Sequence, residues 1–120
     1  FTGDISFFYD SNALWNQHLT PNLRIFLINN SGGGIFKIIP GPKTTAQYEK
    51  YFVAKHHHSA EHLCTAFDIN YFKATNENEV LQNMEAFYTH EADGRPKLME
   101  IFTDGDWNDW VLGEYFEGLK

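Results

Sequence analysis

Arg24-Ile25-Phe26-Leu27-Ile28-Asn29 is the stretch that decides the fold, an almost unbroken apolar run closed by asparagine and followed by Asn30-Ser31-Gly32-Gly33-Gly34. A strand with one face in water alternates apolar and polar residues. A continuous run is what a strand covered on both faces requires, as in a parallel sheet flanked by helices. The run therefore reads as a central parallel strand. The glycines beyond it suit a place where backbone passes close to a ligand or adopts unusual dihedrals.

On the amino-terminal side, Phe1 to Gly3 reads as a strand stub, and Ser6 to Trp15, with apolar Phe7, Phe8, Leu14 and Trp15, as a short helix. On the other side, Lys37 to Lys50 is rich in Pro, Gly, Lys and Thr and includes Pro40-Gly41-Pro42, which predicts a long irregular loop. Ser59, two residues before Glu61, is placed to N-cap a helix carrying Leu63, Ala66 and Phe67. Ile69 to Ala74 reads as a short strand, and Asn76 to His90 as a helix with Val80, Leu81, Met84, Phe87 and Tyr88 at helical spacing, capped by Asn76 or Asn78. A turn at Asp93-Gly94-Arg95-Pro96 leads to a last strand, Leu98 to Phe102. Asp106 to Leu119 then reads as an amphipathic helix with Trp110, Val111, Tyr115 and Phe116 as its apolar contacts. Strands alternating with helices around one very apolar strand predict an α/β fold, a doubly wound and mainly parallel sheet with helices on both faces. Ligands in such sheets bind at the carboxyl ends of the strands.

The bulk composition bounds what such a chain can do. At 120 residues it is one domain at most, and 42% hydrophobic residues supply a core. A net charge of -7 without a Lys/Arg stripe argues against nucleic acid as a partner. Cys64, the only cysteine, cannot form an internal disulfide; it reads as a small core residue and fits a reducing cytoplasm. No apolar run approaches the ~18 residues that crossing a bilayer takes. The chain opens at Phe1, without an initiator Met and already inside a motif, so the natural protein is expected to extend upstream.

Asp4 follows the first strand and Asn30 the second, with one helix between them, so a parallel sheet brings both out at one edge. A carboxylate, a carboxamide oxygen and a backbone carbonyl are hard oxygen ligands of the kind magnesium takes, with phosphate oxygens completing its shell. From the residues alone a plainer alternative stays open: Asp4 caps a helix and Asn-Asn-Ser-Gly is an ordinary turn. His56, His57, His58 and His62 raise zinc, but no cysteine or carboxylate pattern accompanies them, and a solvated loop and helix start is the favoured reading. Asp104, Asp106 and Asp109 read as loop and helix-start acids near a positive dipole end.

Two blocks sharpen this. Gly3-Asp4-Ile5-Ser6-Phe7-Phe8-Tyr9-Asp10-Ser11-Asn12-Ala13-Leu14 and Asn29-Asn30-Ser31-Gly32-Gly33-Gly34-Ile35-Phe36, with Ile38-Ile39-Pro40 beyond, are separated as in the magnesium and diphosphate motif of thiamine diphosphate enzymes. That motif usually begins Gly-Asp-Gly and ends Asn-Asn. Ile5 stands where the third member is glycine, a departure shared by the MenD family, whose blocks read Gly-Asp-Leu-Ser and Asn-Asn-x-Gly-Gly-x-Ile-Phe. The chain resembles that family.

The resemblance implies that Asp4, the Asn30 side chain and the Gly32 carbonyl hold Mg²⁺ (or Mn²⁺). It makes Asp4, Ser6, Asn30 and Gly32 the residues that bind thiamine diphosphate. The Ser6 hydroxyl either reaches the diphosphate or satisfies the first helical turn. Ile35 and Phe36 match the apolar pair bordering the reacting substrate, with core packing at a helix start as the alternative; Asp10 and Asn12 lean structural. The implied activity is decarboxylation of 2-oxoglutarate and addition of the succinyl carbanion equivalent to isochorismate, a transferase step of menaquinone biosynthesis. Residues 1–120 would be the carboxyl-terminal part of the diphosphate-binding domain. The pyrimidine-binding domain with its activating Glu, and a middle domain, would lie upstream. The full-length protein would be a homodimer or homotetramer with its cofactor between subunits, and the piece alone would be inactive. The rivals are another thiamine diphosphate decarboxylase or acetohydroxyacid synthase-like enzyme, and a noncatalytic α/β binding module.

Overall fold

The structure, a computed structural model, describes residues 1–39, 41–90 and 94–119. Its elements run β1 (Thr2–Gly3), α1 (Asp4–Tyr9), a 3₁₀ turn (Ser11–Leu14), β2 (Arg24–Asn29), α2 (Ile35–Ile38), a 3₁₀ turn (Pro42–Thr44) and a π turn (Tyr48–Val53). There follow α3 (Glu61–Ala66), β3 (Asn70–Ala74), α4 (Glu77–Tyr88), β4 (Lys97–Phe102) and α5 (Gly105–Glu117). The strands form one sheet in the order β1-β2-β4-β3. Every pairing is parallel, with Gly3 opposite Ile28, Leu27 opposite Glu100 and Lys73 opposite Glu100. The expected α/β parallel architecture is present, and β2 is interior as its apolar run requires. The chain divides into two compact units, residues 1–29 with 59–102 and residues 30–58 with 103–120.

The first unit holds the sheet and the core on both of its faces. On one face Leu27 and Leu98 pack with Phe7, Leu14, Ala60, Cys64 and Ile69 from α1, the first 3₁₀ turn and the α3 region. On the other, Phe26 and Met99 pack with Phe87 of α4. Neighbouring residues of one strand point to opposite faces, so a strand covered twice has no position left for a solvated side chain. Burial holds the Cys64 thiol well above its ordinary value, pushed up to about 12, with the Glu100 and Glu61 charges adding to it.

Helix α4 follows its sequence signals closely. The Asn76 side chain accepts from the Glu79 N–H at 3.0 Å, and the Glu79 carboxylate accepts from the Thr75 N–H at 2.7 Å, a reciprocal cap. The Thr75 N–H and then the Thr75 hydroxyl, both donating to that carboxylate, hold the Glu79 carboxyl below its usual range. At the other end, buried Lys97 donates to the carbonyls of Ala86 and Thr89 at 2.6 and 2.8 Å, satisfying acceptors that the helix end leaves open.

Other expectations need correction. The helix expected from Ser6 to Trp15 is instead α1 plus a 3₁₀ turn, broken at Asp10. There the Ser11 hydroxyl donates to the Phe8 carbonyl at 3.1 Å, the local competition that takes serine out of helix interiors. The irregular Lys37 to Lys50 segment contains short helical turns; the Thr44 and Thr45 hydroxyls donate to the carbonyls of Gly41 and Pro42, closing one of them. Pro40 and Asp93, parts of the expected loop and turn, lie outside the described residues. Ser59 is one residue short of the capping position, which falls to Ala60, although the Ser59 Oγ does accept from the Glu61 N–H at 3.2 Å.

In the second unit α5 runs Gly105–Glu117, against the expected Asp106 to Leu119, with Asp104 as its N-cap accepting from the N–H groups of Asp106 and Trp107 at 2.9 and 3.0 Å. Its apolar residues do not form the expected contacts. Trp110, Val111, Tyr115 and Phe116 are exposed, and among the described residues the ring pairs of α5 are Trp107 with Trp110 at 4.7 Å and Tyr115 with Phe116 at 5.6 Å.

Candidate functional site

The residues that the sequence singles out divide between the two units, and each group has its own local geometry. In the sheet unit, Gly3 ends β1 and Asp4 opens α1, buried to 2% exposure. One of its carboxylate oxygens accepts from the Ile5 N–H at 2.7 Å. Asn29 ends β2, also buried, and Asn30 is the next residue in the chain. Since β1 and β2 are parallel and in register, Asp4 and Asn29 both lie at the carboxyl edge, where ligands of such sheets bind. Ser6 is exposed on α1 and lines, with Phe1, Thr2, Asp10 and Arg24, a hollow of about 330 Å³. It has none of the burial that marks Asp4.

In the second unit Asn30, Ser31 and Gly32 line a polar cavity of about 260 Å³ together with Lys37, His56 and Gly105. The loop is closed from within: the Gly33 N–H donates to the Val53 carbonyl at 2.7 Å and the His56 N–H to the Ser31 carbonyl at 3.3 Å. A Cβ on Gly32 would sit 2.7 Å from the Val53 carbonyl oxygen, and one on Gly33 2.6 Å from that of Phe52. These two glycines are therefore demanded by the close pass of the π turn. Ser31 at φ 63° and Ala54 at φ 49° lie in the left-handed region, where a side chain costs conformational energy. Ile35 and Phe36 open α2. Ile35 is 56% exposed, and the Phe36 ring packs edge-to-face on Phe52 at 5.3 Å.

Each unit by itself carries hard oxygen donors of the kind that magnesium takes. Asp4 offers a carboxylate, Asn30 a carboxamide oxygen and Gly32 a carbonyl, all hard ligands. The lining of the second-unit cavity is polar and carries Lys37, Lys55, His56 and His57, with Lys37 paired to Asp106 at 2.7 Å. That pairing holds the Asp106 carboxyl below its usual range. Among the described residues, no group of three or more His, Cys, Asp or Glu is placed to hold a metal ion. The rings of His56 and His58 stack at 5.4 Å, and the His58 N–H donates to His56 Nδ1 at 3.1 Å, a use of the histidine run within its own turn. The Asp109 side chain lies outside the described residues.

Sequence reading missed Gly105 and Glu100. A Cβ on Gly105 would come 3.1 Å from the Asn30 carbonyl oxygen, so that position is shaped by the same cavity. Glu100 is fully buried in β4 between Met99 and Ile101. A lone acid in an apolar strand was a signal available from the sequence.

No family model matches the chain. Curated proteins named 2-succinyl-5-enolpyruvyl-6-hydroxy-3-cyclohexene-1-carboxylate synthase do match it. The protein of that name from Christiangramia forsetii is 50% identical over 119 residues, 99% of this chain and 20% of the relative. Those from Flavobacterium johnsoniae and Phocaeicola vulgatus are 46% and 41% identical, each covering 98% of this chain and 21% of the relative. The chain thus spans about a fifth of the length of the curated relatives it matches. Among the described residues, no helix is long and apolar enough to cross a membrane.

Proposed function

Starting from a chain homologous to the MenD synthases along nearly its whole length, we propose that it is the magnesium-diphosphate anchor of such a thiamine diphosphate-dependent synthase. The observation that carries this reading is the parallel pairing of β1 with β2. Asp4 follows one strand and Asn29-Asn30 close the next, in the two blocks that resemble the family's motif.

Thiamine diphosphate, when bound, supplies the electron sink for decarboxylating a 2-oxo acid and transferring the resulting carbanion equivalent. The chain's own residues do the holding. Asp4 contributes the one negative ligand to the metal, and through it the diphosphate is accepted by a chain of charge -7. The Asn30 carboxamide and Gly32 carbonyl complete the protein's share of that shell. Ser6 joins them on the family block alone, since the hollow it lines reaches Leu23, Arg24 and Ile25 at the amino end of β2. Ile35 and Phe36, at the start of α2, present an apolar edge that keeps water from the reacting substrate. In the full-length protein the acceptor is isochorismate and the donor 2-oxoglutarate, with further domains and a second subunit completing the site in a cytoplasmic homodimer or homotetramer.

The test is turnover by the full-length protein with thiamine diphosphate and Mg²⁺. Carbon dioxide release from 2-oxoglutarate coupled to loss of isochorismate is the expected result. Turnover of pyruvate instead favours the acetohydroxyacid synthase-like rival, and cofactor binding without turnover of either favours a binding module. The 120-residue piece should release no carbon dioxide, because catalysis needs groups it does not carry positioned on the substrate.

A further inference from the structure

We propose that Glu100 is a positioning residue for the metal-diphosphate edge. Its buried carboxylate pins both points at which the segment 30–58 leaves and rejoins the sheet unit. At the exit, the Asn29 carboxamide donates to Glu100 Oε1 at 2.7 Å. At the return, the Ser59 hydroxyl donates to Oε2 at 2.8 Å, and the Ala60 N–H reaches Oε2 at 3.0 Å and Oε1 at 3.2 Å. The Tyr71 hydroxyl on β3 donates to Oε2 at 2.7 Å, which fixes the carboxylate from the far side. Its phenol is held above its ordinary value, by burial first and by this bond second.

The fold by itself does not ask for an acid here. Glu100 is fully buried in a strand reading Leu98-Met99-Glu100-Ile101-Phe102, where an apolar side chain would pack without the cost of desolvating a carboxylate. What the carboxylate adds is acceptors for donors from separate parts of the chain, and two of those parts bracket the segment bearing Asn30, Gly32, Ile35 and Phe36. Asn29 is covalently next to Asn30. Fixing its side chain fixes the direction in which the chain leaves β2, hence where the carboxamide of Asn30 can be presented. Outer residues of this kind orient metal ligands without touching the metal.

This inference rests on the cofactor reading above, and the experiment separates the two. In the full-length protein, thiamine diphosphate is titrated at fixed Mg²⁺ by calorimetry, beside an unliganded melting curve, for Asp4→Ala, Glu100→Gln, Asn29→Ala, their double variant, and Lys97→Met. Lys97 is the other buried charge of β4 and serves α4, so its loss should lower the melting temperature and leave cofactor affinity alone. Glu100→Gln and Asn29→Ala should each weaken affinity by about tenfold or more, the lower end for outer-shell partners. The double variant should be little worse than either, because both break one bond. If Glu100→Gln fails to fold, Asn29→Ala carries the test. Lowered melting temperatures with wild-type affinity in Glu100→Gln and Asn29→Ala, while Asp4→Ala still loses affinity, overturn the positioning role and leave the anchor standing. Wild-type affinity in Asp4→Ala overturns the anchor itself, and the role of Glu100 with it.

Discussion

The two units of this chain bury different things. The sheet unit closes around apolar clusters on both faces and also buries charged Asp4, Lys97 and Glu100, the last two with hydrogen-bond partners from other elements. In the second unit Val53 is the fully buried apolar side chain described, while Ile35, Tyr51, Trp107, Trp110, Tyr115 and Phe116 are exposed. Such exposed apolar area is what interfaces and ligand edges carry, and it contributes little to the stability of the chain taken alone. The difference lies in the core: the sheet unit also exposes Phe1, Tyr9, Trp15, Leu81 and Tyr88, but it sets buried apolar clusters against them, whereas the second unit's described apolar side chains lie mostly at its surface.

The sharpest way to break this comparison is to truncate one ring in each unit. Phe87→Ala, which empties a fully buried site against Phe26 and Met99, should cost about 3–5 kcal/mol of chain stability in denaturant titration. Trp110→Ala, at an exposed position, should cost no more than ~0.5 kcal/mol in the same chain. Equal losses would mean that α5 is as much a part of the stable body as α4.

A smaller effect tests the helix ends. Asn76→Ala should cost about 1 kcal/mol, read from the shift in denaturation midpoint, because the Glu79 N–H loses its acceptor. The smallest test is chemical. With its thiol pushed up to about 12, Cys64 should stay protonated and resist a thiol reagent at pH 8 until the chain unfolds. A raised thiol value means that the associated stability is complete below the unfolded value near 9.0 and is lost as pH rises toward about 12. Cys64→Ala should flatten that alkaline loss, and rapid labelling of the folded protein would contradict the burial.

What was legible in the sequence follows the same division. The Arg24 to Asn29 run announced an interior parallel strand because burial on two faces favours apolar residues at successive positions, and α4 was readable because its caps are local. The register of Ser59 against Ala60 was not, since the destination of the Ser59 proton is Glu100, 41 positions away. Nor were the exposed rings of α5: apolar periodicity marks a face that avoids water but does not say whether this chain or another covers it. Asp4 and Asn30 were singled out by a motif at two strand ends, and their role remains a proposal. Gly105 was missed because its role comes from an approach made only in three dimensions, 3.1 Å to the Asn30 carbonyl oxygen; Glu100 stood out as a lone acid in an apolar strand, but its partner Asn29, at 2.7 Å, lies 71 positions away.

The central claim is that the carboxyl edge of β1 and β2 anchors a magnesium-bound diphosphate through Asp4. The most direct measurement is the melting temperature of the full-length protein and of its Asp4→Ala variant, each with and without thiamine diphosphate and Mg²⁺. Ligand bound only by the folded state stabilises it by ~2.7 kcal/mol at a hundredfold excess over the dissociation constant. The account predicts that the wild type gains this stabilisation, and that Asp4→Ala melts near the wild type without ligand but gains little when ligand is added. A variant that melts low without ligand yet is stabilised by cofactor as fully as the wild type would contradict it, leaving Asp4 as the start of a helix and nothing more.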